Sequence, residues 1–259
     1  MPNTLTRTPK LRLTGLILMV LLCFAQVGAQ SQVDTTVAAI EVTPQPREDT
    51  PHPEKFQLIK NTRISLADSR SADDRFAAND FLDDLKQTTG LELKVGRGGA
   101  RQNILIGLLS LPAIDAALRS ADVTLPPSLN EEGYVLSVSR NGVVIGGATS
   151  TGVFYGLQTL KQLVRGNTTQ GVYIQGVKIT DWPAMRWRGV SDDISRGPVP
   201  TVDYIKRQLR TFAMYKLNMH SFYMEHTFSS KAHPLIGPEG GSLTPEEIRE
   251  LVALHAFPK

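Results

Sequence analysis

Residues 187–224 read WRGVSDDISRGPVPTVDYIKRQLRTFAMYKLNMHSFYM. The stretch 187–194 has the look of a short strand, stopped by Gly197, Pro198 and Pro200. Between 202 and 215, Ile205, Leu209 and Phe212 recur at helical spacing. Residues 217–224 then read as a second strand. A strand, a helix and a strand in succession mean two parallel strands joined by a right-handed crossover. Downstream comes a loop with Gly237, Gly240 and Gly241, then Thr244-Pro245-Glu246-Glu247. That tetrapeptide combines an N-cap, a first-turn proline and a capping glutamate, and so opens another helix. The pattern predicts the first two βα units of a (β/α)8 TIM barrel. A closed barrel needs about 200 residues or more, so 182–259 is expected to be an incomplete one. The last helix reaches Phe257-Pro258-Lys259 with no strand after it, and the expectation is an N-terminal fragment that stops in mid-domain.

Upstream the rhythm differs. Ser71 and Asp74 begin a helix in the manner of a capping box, Phe76, Phe81, Leu82 and Leu85 form its apolar stripe, and Gly90 can end it. Short strands are expected at 91–95 and 104–107. A hairpin is expected from 134–138 and 143–145, turning at Asn141-Gly142, a dipeptide that tolerates positive φ. Thr151 precedes a helix with Val153, Leu157, Leu160 and Val164 on one face and Gly166 to stop it. A strand at 172–179 leads into Asp181-Trp182-Pro183. The fold class is therefore α/β: a small mixed domain over 56–181, followed by the incomplete barrel.

The N-terminal 55 residues are of another kind. Arg7, Lys10 and Arg12 precede the apolar run 13–24 and Val27-Gly28-Ala29, the make-up of a signal peptide over 1–29. The run is shorter than the ~20 apolar residues of a membrane span, so no membrane association is expected after cleavage. An exported, periplasmic or extracellular location follows. Cys23 is the single cysteine and lies in this segment, which leaves the rest without thiol chemistry. Residues 30–55, with Pro44, Pro46, Pro51 and Pro53, read as a proline-rich lead-in. The formal charge of +3 also belongs to the leader. Its three basic residues, taken from 28, leave 25 against 25 acidic ones, so nothing marks a nucleic-acid partner.

Candidates for chemistry are few. Asp192 and Asp193 are adjacent on a strand and so point to opposite faces; one facing the core and one capping a loop is the plain reading. Arg188 in the same strand needs a partner, either a structural acid or a ligand hydroxyl. Glu225, at the carboxyl end of the second strand, could accept from a sugar hydroxyl or pair with a neighbour such as Lys231. His220 and His226 have no metal-ligand spacing, and the glycines of 96–99 have neither phosphate-binding spacing, so no metal or cofactor is expected.

Five motifs, in order, resemble those of family 20 β-N-acetylhexosaminidases. They are Glu132-Gly133-Tyr134; Val153-Phe154-Tyr155-Gly156-Leu157-Gln158-Thr159-Leu160; Ile179-Thr180-Asp181-Trp182-Pro183; Arg188 through Arg196; and Tyr215-Lys216-Leu217-Asn218. The resemblance implies a retaining, substrate-assisted hydrolysis of terminal non-reducing N-acetylhexosamine, with glycans carrying N-acetylglucosamine or N-acetylgalactosamine as partners. It also implies that Arg188 holds sugar hydroxyls and that Glu225 belongs to the pocket. The second strand departs from the common pattern: Ser221-Phe222-Tyr223 and Glu225-His226 stand where many members have His-Trp-His and paired aspartates. The family's catalytic Asp-Glu pair follows its fourth barrel strand, so the catalytic residues are expected beyond Lys259. Two alternatives stay open: a relative of the family 84 hexosaminidases or hyaluronidases, and a non-catalytic carbohydrate-binding module.

Overall fold

Side chains alternate across a strand, so a sheet with apolar residues at consecutive positions must be covered on both faces. The computed structural model, which describes residues 37, 39–98, 102–127 and 129–255, shows such a sheet. Its strands are β1 (Glu48–Leu58), β2 (Arg63–Leu66), β3 (Lys94–Val95), β4 (Asn103–Leu108), β5 (Tyr134–Ser139), β6 (Gly142–Gly147), β7 (Val164–Asn167) and β8 (Gly171–Asp181). They lie in the order β1-β8-β5-β6-β4-β2-β3, with β7 paired to β8. The β1-β8-β5-β6 half is antiparallel and the β6-β4-β2-β3 half parallel. Three helices cover it: α1 (Ala72–Thr89), α2 (Pro112–Ser120) and α3 (Ser150–Leu163). Ile104, Ile106, Leu136, Val138, Val143 and Ile145 pack with α1 and α3, whereas Val135 packs with Ile114 and Leu118 of α2 on the other face. Each large aliphatic side chain so buried contributes about 1.5–3 kcal/mol.

Local chemistry explains the element ends. Ser71 Oγ accepts from the Asp74 amide at 3.1 Å, and Gly90 closes α1 at φ 77°, a left-handed conformation that suits glycine. The cap of α3 is Thr149, which accepts from the Thr151 amide at 3.2 Å. The helix begins earlier than Thr151 would suggest and stops at Leu163, because Val164 already pairs with Ile174 as part of β7. The hairpin forms, but Ser139 faces Gly142, so its turn is Arg140-Asn141 and neither residue has positive φ. Glu54 of β1 holds that turn, accepting from the Arg140 amide at 3.0 Å and from its Nε at 2.7 Å. The proline-rich segment 30–55 needs correction. From Glu48 it is strand β1, antiparallel to β8, with a register shift between Pro51 and Lys55 that accommodates the prolines on an edge. The signal-peptide segment 1–29 and the end Phe257-Pro258-Lys259 lie outside the described residues.

A second, two-stranded sheet follows: β9 (Gly189–Asp193) and β10 (Met219–Tyr223), parallel, with Gly189 opposite Met219. Helix α4 (Val202–Met214) makes the crossover, buries Ile205 and Leu209 with Ile194, and is joined there by Leu243 and by Leu251 of α5 (Pro245–His255). The capping box of α5 closes in both directions: the Thr244 amide donates to Glu247 Oε2 at 2.7 Å and the Glu247 amide to Thr244 Oγ1 at 3.2 Å. Both sheets belong to one compact unit, Val37–Lys259.

Helix α3 is buried along its whole middle, from Gly152 to Thr159. It can lie this close to the sheet because a Cβ on Gly152 would stand 2.2 Å from the Gly133 carbonyl oxygen, backbone against backbone. Gly152→Ala is therefore expected to cost about 2–3 kcal/mol, read as a lower urea midpoint.

Candidate functional site

Parallel βα units present their loops, and hence their chemistry, at the carboxyl ends of the strands. At that edge Arg196 Nη2 donates to Glu225 Oε1 at 3.1 Å, and Tyr223 Oη donates to the same oxygen at 3.1 Å. The neighbouring carboxylate pull raises the Tyr223 pKa, chiefly through this hydrogen bond. All three side chains are open to solvent, with Arg196 73% and Glu225 39% exposed, so the ion pair itself adds little stability. Glu225 thus pairs with a neighbour, but the neighbour is Arg196 and not Lys231, which lies beside Glu246. Arg196 and Tyr223 were not singled out from sequence. The signal for Arg196 is an arginine at the end of a strand, just ahead of Gly197-Pro198.

The carboxylates of β9 divide as alternation requires. Asp193 Oδ1 accepts from the Ser195 amide and hydroxyl at 2.9 and 2.6 Å, which lowers its pKa, while Asp192 turns toward Gln208 of α4 at 3.5 Å. His220 sits edge-on between Phe212 and Phe222, where burial lowers its pKa. A cleft of about 680 Å³ opens between α1, α3, α4 and α5. Phe76, Phe154, Leu209, Phe212 and Leu251 line it, and Arg196, Tyr223 and Glu225 do not. Its walls are mostly apolar, with Asp80, Asp83, Glu132, Arg210 and Asn218 among the polar residues at its lining.

At the opposite, amino-terminal ends of β9 and β10 the two sheets are joined by polar side chains. Arg188 stands immediately before β9. Its Nε donates to the Lys216 carbonyl at 2.8 Å and its Nη1 to those of Met185 and Arg186 at 2.7 and 3.4 Å. Its Nη2 donates to Glu132 Oε2 at 2.5 Å and to the Tyr155 hydroxyl at 3.3 Å. All five N–H groups of the guanidinium are thereby engaged by the protein. Of the two partners open to Arg188 in sequence, the structure supplies the structural acid, Glu132, and leaves no donor for a sugar hydroxyl. Burial beside Glu132 pushes the Tyr155 phenol up to about 12.

Lys216 completes the joint. It ends α4 in a Schellman arrangement, its amide donating to the Ala213 carbonyl at 2.8 Å and that of Leu217 to Phe212 at 2.9 Å. The motif needs a left-handed residue, and Lys216 has φ 59°, at a cost of about 1–2 kcal/mol for a side chain other than glycine. The side chain reaches back so that Nζ donates to Asp181 Oδ2 at 2.7 Å and to the Tyr134 hydroxyl at 3.0 Å. Tyr134 in turn donates to Asp181 Oδ2 at 3.0 Å, so Thr159, 2.6 Å away, is the donor to the phenol. Burial lowers the Lys216 pKa and Asp181 pulls it back up; desolvation is the larger effect. Burial raises that of Tyr134, which stays a neutral phenol.

Removing one partner of such a pair leaves the other charged and buried, at about 3–5 kcal/mol. Lys216→Met is expected to lose that much in chemical denaturation. Lys216→Met combined with Asp181→Leu should recover most of it, since paired apolar replacements are often neutral.

The five motifs singled out in sequence all send side chains into this joint: Glu132 and Tyr134, Tyr155 and Thr159, Asp181, Arg188, Lys216 and Asn218. Comparison with known proteins agrees with that origin. The model of "Glycosyl hydrolase family 20, domain 2" matches residues 39–182. A β-hexosaminidase of Porphyromonas gingivalis is 26% identical over 91% of this chain and 31% of its own. An exo-β-N-acetylglucosaminidase of Vibrio harveyi, solved with N-acetylglucosamine, superposes with a TM-score of 0.67 at 20% identity, over 85% of this chain and 36% of that one. A β-N-acetylhexosaminidase of Streptomyces coelicolor gives 0.67 at 23% identity, over 83% of this chain and 43% of its own. The chain therefore spans less than half the length of these relatives. The sheet β1–β8 with α1–α3 is the domain that the family model describes, and the chain belongs to glycosyl hydrolase family 20.

Proposed function

We propose that this chain is part of an exported β-N-acetylhexosaminidase that removes terminal non-reducing N-acetylglucosamine or N-acetylgalactosamine from glycans. The observation that carries the reading is the convergence of Arg196 and Tyr223 on Glu225 Oε1, at the carboxyl edge of parallel strands docked on a family 20 domain. On this reading, 182–259 supply the first two βα units of a (β/α)8 barrel. The second oxygen of Glu225 and the remaining N–H groups of Arg196 then meet sugar hydroxyls, a task suited to the guanidinium fork. That relatives are β-hexosaminidases, one of them solved with N-acetylglucosamine, supports the substrate class.

The hydrolysis is substrate-assisted. The sugar's acetamido oxygen attacks the anomeric carbon as an acid protonates the departing glycosidic oxygen, and water then opens the cyclic intermediate with retention. The Asp-Glu pair of that step follows a fourth barrel strand in the family. Asp192 and Asp193 do not fill the role, because one faces α4 and the other caps Ser195. Export rests on the basic and apolar make-up of 1–29.

Two measurements on the chain test this. In ¹⁵N-labelled protein, the Arg196 Nε–H signal is expected to move on titration with N-acetylglucosamine while that of Arg188 stays put. A still Arg196 signal at tens of millimolar sugar overturns its binding role. The chain alone is expected to release no p-nitrophenol from p-nitrophenyl N-acetyl-β-glucosaminide, and turnover would place the catalytic acids within it.

A further inference from the structure

Glu132 holds both parallel strands with one carboxylate. Its Oε2 takes Arg188 Nη2 at 2.5 Å, at the foot of β9, and its Oε1 takes Asn218 Nδ2 at 3.1 Å, at the foot of β10. Between the same two residues runs the rung below the first paired one. The Asn218 and Met219 amides donate to the Arg188 carbonyl at 2.8 and 3.1 Å, and the Arg188 amide donates to Asn218 Oδ1 at 2.9 Å. Asn218 Nδ2 also donates to the Arg186 carbonyl at 2.7 Å. The next rung is Gly189 opposite Met219, and the last is Asp193 opposite Tyr223.

We infer that Glu132 is a positioning residue for the saccharide site, setting the stagger of β9 against β10 and through it the approach of Arg196 to Glu225. Two parallel strands make no stable sheet by themselves, so their relative placement has to come from what they are attached to. At their feet that is Glu132, a residue of the other sheet's domain, itself only 22% exposed. Five residues of strand carry the placement to the upper edge, roughly 16 Å away at ~3.3 Å per residue. A ladder of backbone hydrogen bonds transmits a tilt or a slide with little loss over that length. Sites that bind through fixed donors tolerate only about 0.5 Å of misplacement, which a loosened foot exceeds. The inference rests on the saccharide reading of Arg196 and Glu225.

The test uses the labelled full chain and follows two signals far from the substitution, the Arg196 Nε–H and the Glu225 carboxyl carbon. Glu132→Gln is expected to shift both in the sugar-free protein, and to weaken the N-acetylglucosamine titration read on Arg196 roughly tenfold. Lys161→Met serves as the stability control, for it breaks the Lys161–Asp80 pair of the same domain, 2.7 Å long with the lysine 5% exposed, without touching either foot. It should leave both signals in place. Should Glu132→Gln fail to fold, Asn218→Ala cuts the β10 arm alone and is expected to shift Glu225. Signals unchanged in a folded Glu132→Gln or Asn218→Ala protein, or moved equally by Lys161→Met, overturn the inference. A wild-type chain that ignores the sugar while Glu132→Gln still shifts the pair would sink the saccharide reading and leave the positioning role standing.

Discussion

Everything at the upper edge of β9 and β10 depends on a buried polar joint at their lower one. Two acids of the sheet domain, Glu132 and Asp181, receive two cations from the strand-helix-strand unit, Arg188 and Lys216. Taking four charges out of water is expensive, and close pairing recovers the loss without much surplus. The lowered pKa of Lys216, despite a carboxylate at 2.7 Å, reflects that balance. Such a joint adds direction rather than energy. An apolar contact would let the two sheets slide, whereas a guanidinium whose five N–H groups each have an acceptor admits one orientation. Tyr134 and Thr159, which extend the network into the centre of the domain, make the same point: the joint is rooted in β5 and α3, among the most deeply buried elements.

Much of the fold was legible because periodicity and caps are local. Ser71 and Gly90 bound α1, Thr244 and Glu247 open α5, and Ile205 and Leu209 bury the face of α4. The failures have nonlocal causes. Prolines at 44–53 suggested an irregular segment, yet Pro51 and Pro53 sit in an edge strand that tolerates them, and the pairing of β1 with β8 spans more than a hundred residues of sequence. The hairpin turned one residue early, at a position clasped by Glu54 from β1. Val164 left its helix because β8 offered it a partner. None of these can be read from spacing within a window.

The site was harder, for a related reason. Sequence motifs report which side chains are constrained, not by what. Arg188, flanked by Trp187 and Gly189, announced a buried charge, and its constraint is the domain joint. Arg196 closes the same motif with no such context and stands in solvent beside Glu225. A buried arginine and an exposed one, eight positions apart, are distinguished only when the acceptors around each are known. Glu225 was reachable from sequence, because the carboxyl end of a parallel strand is a topological address.

The left-handed lysine that closes α4 bears on how such proteins are engineered. Rule-based helix capping would place glycine at this position, relieving the backbone at the cost of a somewhat more disordered unfolded chain. Here that improvement would be self-defeating, since it would delete the ammonium that reaches Asp181 and Tyr134. A local gain of about 1–2 kcal/mol would be exchanged for a severed connection between the two sheets. Automated stabilisation of multidomain hydrolases should therefore treat a positive-φ lysine or arginine at a helix end as a tether before treating it as a defect.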